Sequence, residues 1–152
     1  MSVAALLEIG GLTVEFPTRR ADFTAVDKVD LVVERGMIHG LVGESGAGKS
    51  TIGNAVMGLL ERPGRVTGGQ IKLNGERIDH LGYEGMRAIR GSKISMIFQE
   101  PMTSMSALHT IGNQVEEALV LHSDVAGKDR RRLTEEMLAL VGFPDPARAY
   151  DC

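Results

Sequence analysis

The stretch GLVGESGAGKST, Gly40–Thr51, decides how the rest of the chain is read. It holds a glycine, four residues, then Gly-Lys-Ser. That spacing builds a loop between a buried strand and a helix, with successive backbone N–H groups turned inward to cradle phosphate. Glycines at 43, 46 and 48 permit dihedrals and close approaches that a Cβ forbids. The helix behind the loop adds its unpaired N-terminal N–H groups and the positive end of its dipole. In this pattern Lys49 reaches the β- and γ-phosphates of a nucleotide, and Ser50 offers its hydroxyl to Mg²⁺.

The flanks supply the context the loop demands. Before it, MIHGLV (Met37–Val42) is a short apolar run, predicted as a strand covered on both faces as in a parallel sheet. After it, Ile52, Ala55, Val56, Leu59 and Leu60 form one apolar helical stripe, with Pro63-Gly64 as its stop. Further out, Leu12, Val14 and Phe16 alternate with Thr13 and Glu15, and Val29, Leu31 and Val33 alternate with Asp30 and Val32. These predict an antiparallel pair joined by the polar turn PTRRADFT. Asn74-Gly75 within QIKLNGERI is a hairpin signal. YEGMRAIRG reads as a short helix and KISMIF (Lys93–Phe98) as a second buried strand, ending at Gln99.

Beyond Met102 the pattern turns helical. Ile111, Val115, Ala118 and Leu119 mark one helix, and Leu133, Met137, Leu140 and Val141 another. The expected organisation is an α/β chain in two parts. Residues 1–101 form an antiparallel β-subdomain and a phosphate-loop core, and residues 102–152 begin an α-helical subdomain.

Composition narrows the functional classes. With 152 residues, 43% hydrophobic and 24% charged, the chain is long enough for a real core. A net charge of −3 argues against a general nucleic-acid binder. One cysteine, Cys152, excludes an internal disulfide and a cysteine-rich metal site, and points to a reducing compartment. The N-terminus lacks the pattern of a signal peptide, and no window approaches the roughly 20 apolar residues that cross a bilayer. Any membrane connection is expected to run through a partner.

Gln99 closes the buried strand KISMIF at the end where open α/β sheets bind ligands, and its amide suits an Mg²⁺ ligand or a water-orienting group. With this, the chain resembles the N-terminal half of an ATP-binding cassette (ABC) transporter ATPase, over Leu7–Tyr150. LVGESGAGKST resembles the Walker A loop of that P-loop NTPase family. ISMIFQEPMTSM resembles the Q-loop segment of its oligopeptide, dipeptide and nickel importer branch. GLLERPGRVTGGQIKLNGERI and RGSKISMIFQEPM read like the same branch.

The resemblance implies that Gly43, Glu44, Ser45, Gly46, Ala47, Gly48, Lys49, Ser50 and Thr51 wrap the phosphates of ATP. It makes Gln99 the sensor of Mg²⁺ and the γ-phosphate, with Ser50 as the other metal ligand. It places an aromatic ring on the adenine, with Phe16 the best match and Phe23 its rival. Met37 and Ala47 depart from the residues common in the family, but neither side chain is needed by the loop's N–H groups. The implied partners are membrane-spanning permease subunits, a second ATPase subunit (identical or not) and, indirectly, an extracytoplasmic substrate-binding protein. The implied location is the cytoplasmic face of the membrane.

Four parts of the family pattern are missing from these residues: a Leu-Ser-Gly-Gly signature, an apolar strand ending in Asp-Glu, an Asp loop and a switch histidine. The expectation is a truncated importer ATPase that binds nucleotide weakly and turns over negligibly, its apolar edges open and its melting poorly cooperative. The alternatives are a non-catalytic nucleotide-binding fragment and a soluble ABC ATPase outside transport.

Smaller features carry less. His39, His80, His109 and His122 lack metal-ligand spacing, and His39 is predicted as a core residue of a buried strand. Glu116-Glu117 and Glu135-Glu136 are neighbours in sequence and so do not face each other on a helix. KDRRRLTEE reads as a solvated helix face. Met96, Met102 and Met105 suit either core packing or an adaptable contact with a partner.

Overall fold

A computed structural model describes residues 5–19, 21–100 and 105–152. The expected subdomain boundary at 101/102 and Met102 itself lie outside the described residues. The chain divides into two compact units, Met1–Arg90 and Gly91–Cys152.

The first unit is built on the two alternating segments. β1 (Ala5–Pro17) and β2 (Asp22–Glu34) pair antiparallel, as the period-two pattern predicts. β3 (Arg65–Leu73) adds to the other side of β1, and β4 (Glu76–Arg77) completes a sheet of order β2-β1-β3-β4. The turn between β1 and β2 is shorter than PTRRADFT suggests. Thr18 exchanges hydrogen bonds with Ala21, and Phe23 and Thr24 already belong to β2. Asn74 and Gly75 both adopt positive φ, 51° and 81°, as a two-residue hairpin turn matching strand twist requires. Arg35 fixes the turn by donating to Asn74 Oδ1 at 2.6 Å.

One face of this sheet is the core. Ile9, Leu12, Val14, Val26, Ile71 and Leu73 are buried on it. Ile9 and Leu12 are an odd number of residues apart, which on a regular strand sends them to opposite faces. A register shift between them restores the facing, and Asp30 Oδ1 accepts the Gly11 N–H there at 2.7 Å. Over the core lie α1 (Lys49–Met57), through Ile52, Ala55, Val56 and Met57, and α2 (Tyr83–Ile89), through Met86 and Ile89.

Four expectations need correction in this unit and the next. α1 does not run to Pro63-Gly64. Gly58, at φ 61°, ends it: Leu59 N–H donates to Asn54 O at 2.7 Å and Gly58 N–H to Ala55 O at 3.1 Å. That is a Schellman closure, which needs the left-handed conformation that glycine adopts freely. Leu59 and Leu60 therefore lie beyond the helix. Met37–Val42 is not a strand; its side chains are exposed, Ile38 at 97% and Val42 at 93%. Lys93–Phe98 is likewise no regular strand, and Ile97 is 92% exposed. A strand exists only through its ladder, and among the described residues neither segment pairs into a sheet. His39, inside the first of these segments, is consequently exposed and not a core residue.

The second unit is helical: α3 (Ile111–His122), α4 (Gly127–Leu140) and α5 (Pro146–Tyr150). Thr110 caps α3 by accepting from Asn113 N–H at 3.2 Å, and Asp145 caps α5 by accepting from Arg148 N–H at 3.0 Å. α5 is fastened to both longer helices. The Tyr150 ring lies against Gly112, where a Cβ would overlap it, and its hydroxyl donates to Glu116 Oε2 at 2.5 Å. That bond, burial and the Glu116 charge push the Tyr150 phenol above its usual range. Arg131 of α4 stacks over the same ring at 4.4 Å and pairs with Glu135 and Asp151. α4 buries Thr134 and Leu138, whereas Met137, Leu140 and Val141 of the predicted stripe are exposed. Position against α3 and α5, not hydropathy alone, selects the buried face.

Candidate functional site

The loop between Val42 and α1 keeps the turn and the helix that its sequence predicts, without the buried strand predicted before it. Ala47 N–H donates to Glu44 O at 3.2 Å, closing a tight turn, and Gly46 and Gly48 take φ 84° and 82°. Gly48 is the N-cap of α1 and sits directly on β2. A Cβ there would lie 2.5 Å from the Ala25 carbonyl oxygen and 3.3 Å from Val26 Cγ2. Glycine is thus required twice, by its dihedral and by this approach.

The helix start is left open. No side chain caps it, and its first turn carries no acidic residue. The first helical bond is Ile52 N–H to Gly48 O at 3.0 Å, so the N–H groups of Gly48–Thr51 precede the ladder. Those donors and the positive helix pole suit an anion. Lys49 lies folded along the loop. Its Nζ donates to Gly43 O at 2.8 Å and to Glu44 O at 2.6 Å. An ammonium has three donors, and these bonds use two.

Gly43, Glu44, Ser45, Gly46, Ala47 and Ser50 are exposed, while Gly48, Lys49 and Thr51 are half-buried. A polyphosphate fits this set: an uncapped helix end, the N–H groups that precede its ladder and one lysine. Among the described residues no three His, Cys, Asp or Glu side chains gather to hold a metal unaided. A Mg²⁺ ion here would be held chiefly by phosphate oxygens, with the Ser50 hydroxyl as its protein ligand.

The aromatic candidates face each other across the first hairpin, Phe16 in register with Phe23. The Phe16 ring is half-buried and its edge covers Gly64. Phe23 is 61% exposed and stands two residues before Ala25, on which the loop's Gly48 rests. Gln99 belongs to the second unit and is exposed.

Motif spacing did not reveal two residues that hold the site from behind. One is Ala25, whose carbonyl defines the floor under Gly48. The other is Arg90, whose side chain grips the far end of α1: Nε donates to Met57 O and Nη2 to Gly58 O, each at 2.8 Å. The only sequence hint of the latter is a basic residue closing α2.

The sequence profile of the ABC transporter family matches residues 26–150. The chain is 40% identical over 147 residues to the dipeptide transport ATP-binding protein DppD of Escherichia coli strain K12, covering 97% of this chain and 45% of that protein. It is 42% identical over 154 residues to a putative peptide import ATP-binding protein of Brucella ovis, covering 97% and 46%. It is 39% identical over 142 residues to the oligopeptide transport ATP-binding protein AppD of Bacillus subtilis strain 168, covering 93% and 43%. Among solved structures, a dimeric ATP-binding cassette in a post-hydrolysis state bound to ADP and Pi superposes with a TM-score of 0.76 at 24% identity, covering 88% of this chain and 56% of that one. CbiO1 of Clostridium perfringens, part of an ABC transporter complex, superposes with a TM-score of 0.66 at 20% identity, covering 93% and 52%. The fold of the chain is therefore that of an ABC ATPase cassette, and the chain spans less than half the length of the curated relatives it matches. The chain belongs to the ABC transporter family.

Proposed function

We propose that these residues form the nucleotide-holding part of an ATPase subunit that drives import of peptides. The observation that carries the reading is the uncapped, acid-free start of α1 beneath a lysine-closed glycine loop. The peptide assignment is supported by the names of relatives about 40% identical, which are dipeptide, oligopeptide and peptide import ATP-binding proteins. In this reading ATP is bound with Mg²⁺. The N–H groups of residues 43–51 surround the phosphates, Lys49 leaves its loop carbonyls for the β- and γ-phosphates, and Ser50 serves the metal; Gln99 keeps the sensor role that the family resemblance implies. A Phe16–Phe23 pair offers an aromatic face to the base, and the exposure of Phe23 favours it for that contact.

The partners in this reading are membrane-spanning permease subunits and a second ATPase subunit. No helix of the described residues is long and apolar enough to cross a membrane, so attachment at the cytoplasmic face would run through those subunits.

Phosphoryl transfer to water depends on positioning and charge stabilisation. The loop supplies the cradle, but the 152 residues contain no strand-borne Asp-Glu to complete the metal site and polarise water, and no Leu-Ser-Gly-Gly to close the site from a partner. We expect this chain alone to retain Mg-ATP weakly and to release phosphate at no more than the background rate. Phosphate release at an ordinary enzyme rate of about 1 s⁻¹ or more, abolished by Lys49→Ala, would overturn that expectation.

A further inference from the structure

We infer that Arg90 is a positioning residue for the phosphate loop, acting through α1; this rests on the reading of the loop as a nucleotide site. The helix whose N-terminus forms the cradle is nine residues long, Lys49–Met57. At about 1.5 Å per residue it is a rod of roughly 13 Å, so a shift or tilt at one end is transmitted to the other. Its front is set by Gly48 seated on Ala25 and Val26 of β2. Its rear is set by Arg90.

The guanidinium makes a forked contact, Nε to Met57 O and Nη2 to Gly58 O, both at 2.8 Å. These carbonyls lie at the negative pole of α1, where a cation is favoured electrostatically as well as by hydrogen bonding. The fork also fixes orientation, which a single bond does not.

Three further observations assign the clamp to α1 and not to general packing. First, Gly58 makes room for it. A Cβ at 58 would stand 3.1 Å from Arg90 Nη2 and 3.3 Å from Met86 Cγ, at a φ of 61° that side chains rarely adopt. Second, Arg90 is itself anchored, its N–H donating to Met86 O at 3.0 Å, so the fork is carried by α2. Third, a solvent-open pocket of about 190 Å³ lies beside the clamp, lined by Ala55, Val56, Gly58, Leu60, Asp79 and Met86. At this opening the polar fork joins the rear of α1 to α2 where side chains do not close the gap.

The consequence is specific to phosphate. Loss of the fork leaves the loop sequence intact but lets α1 tilt, which misaligns the N–H groups of its first turn. The test is equilibrium titration of the whole chain with Mg-ATP and, separately, with inorganic triphosphate, which shares only the phosphates. Arg90→Met keeps the aliphatic stem and removes the donors. We expect it to weaken both ligands by the same factor, about fivefold for a roughly 1 kcal/mol helix-terminus contact. Arg90→Lys, which keeps the charge but cannot make the fork, is expected to recover only part of the loss, with an affinity between those of Arg90→Met and wild type. Tyr150→Phe serves as the control for stability alone. It loosens α5 in the other unit and is expected to lower the melting temperature without changing either affinity.

Arg90→Met binding both ligands as wild type does, while Lys49→Ala loses them, would reduce Arg90 to a helix cap and overturn the inference. A loss of affinity of the same size in Tyr150→Phe would also overturn it, since general loosening would then suffice. If Arg90→Met does not fold, hydrogen exchange of the α1 amides in Arg90→Lys decides. Faster exchange confined to Lys49–Met57 supports the clamp, and unchanged exchange contradicts it. A wild-type chain that binds neither ligand contradicts the nucleotide reading itself.

Discussion

Lys49 bonded to the carbonyls of Gly43 and Glu44 is the loop's resting arrangement at the scale of single residues. In the proposed nucleotide reading, these two bonds are the ones a phosphate would compete for. Gly48 is the least replaceable neighbour. Gly48→Ala forces a side chain into a φ of 82° and against the Ala25 oxygen. A loss of about 2 kcal/mol in stability is expected, measurable by urea denaturation. A stability equal to wild type would mean that the loop does not sit on β2.

Asp79 gives a test by pH. Burial alone would push its carboxyl up, but the Arg77 guanidinium and the Ile71 N–H, donating at 2.7 Å, outweigh this and hold it below the usual carboxylate range. A carboxyl depressed in the folded state stabilises fully above its unfolded pKa, about 3.9, and that contribution is lost as pH falls through the folded value. Asp79→Asn should therefore cost about 1 kcal/mol near neutrality. It should also flatten the loss of stability below about pH 4, followed by denaturant midpoints across pH. An acid limb as steep as wild type would contradict the role given to Asp79.

At the scale of elements, local patterns were legible where a segment carries its own partner or its own stop. The first hairpin, the Asn74-Gly75 turn and the helices beginning at Lys49, Tyr83, Ile111 and Gly127 all follow from periodicity and turn chemistry. The end of α1 was misread because an apolar stripe continues through Leu59 and Leu60, while termination is decided by backbone conformation at Gly58. Met37–Val42 and Lys93–Phe98 were misread for a different reason. Their apolar composition records what kind of surroundings suits them, whereas forming a strand requires a neighbour.

Exposed apolar backbone of this kind invites association. Replacing Ile38 and Val42, both more than nine-tenths exposed, with lysine should lower self-association seen by light scattering and leave the melting temperature unchanged. A large drop in melting temperature would show instead that the segment is packed in solution.

At the scale of the whole molecule, contacts between sequence neighbours and contacts between distant residues differ in how they could be anticipated. The phosphate loop is a local motif whose glycines, lysine and helix are contiguous, so its residues were named from sequence alone. The rear clamp joins Arg90 to carbonyls 32 and 33 residues earlier, and no spacing rule links those positions. The same holds for α5, which is fixed by Tyr150 reaching Glu116 and Gly112 of α3. Phe16 and Phe23 stand between these cases. Alternation marked Phe16 as a strand residue, but only pairing shows Phe23 beside it with its face exposed.

The central claim is that the loop and first turn of α1 hold a nucleoside triphosphate. Isothermal titration of the purified chain with Mg-ATP, beside its Lys49→Ala variant, tests it most directly. The account predicts saturable, one-site binding by wild type and at least a tenfold weaker affinity for the variant, about 1.4 kcal/mol. Equal affinity in the two proteins, or no saturable binding by a folded wild-type chain, would contradict it.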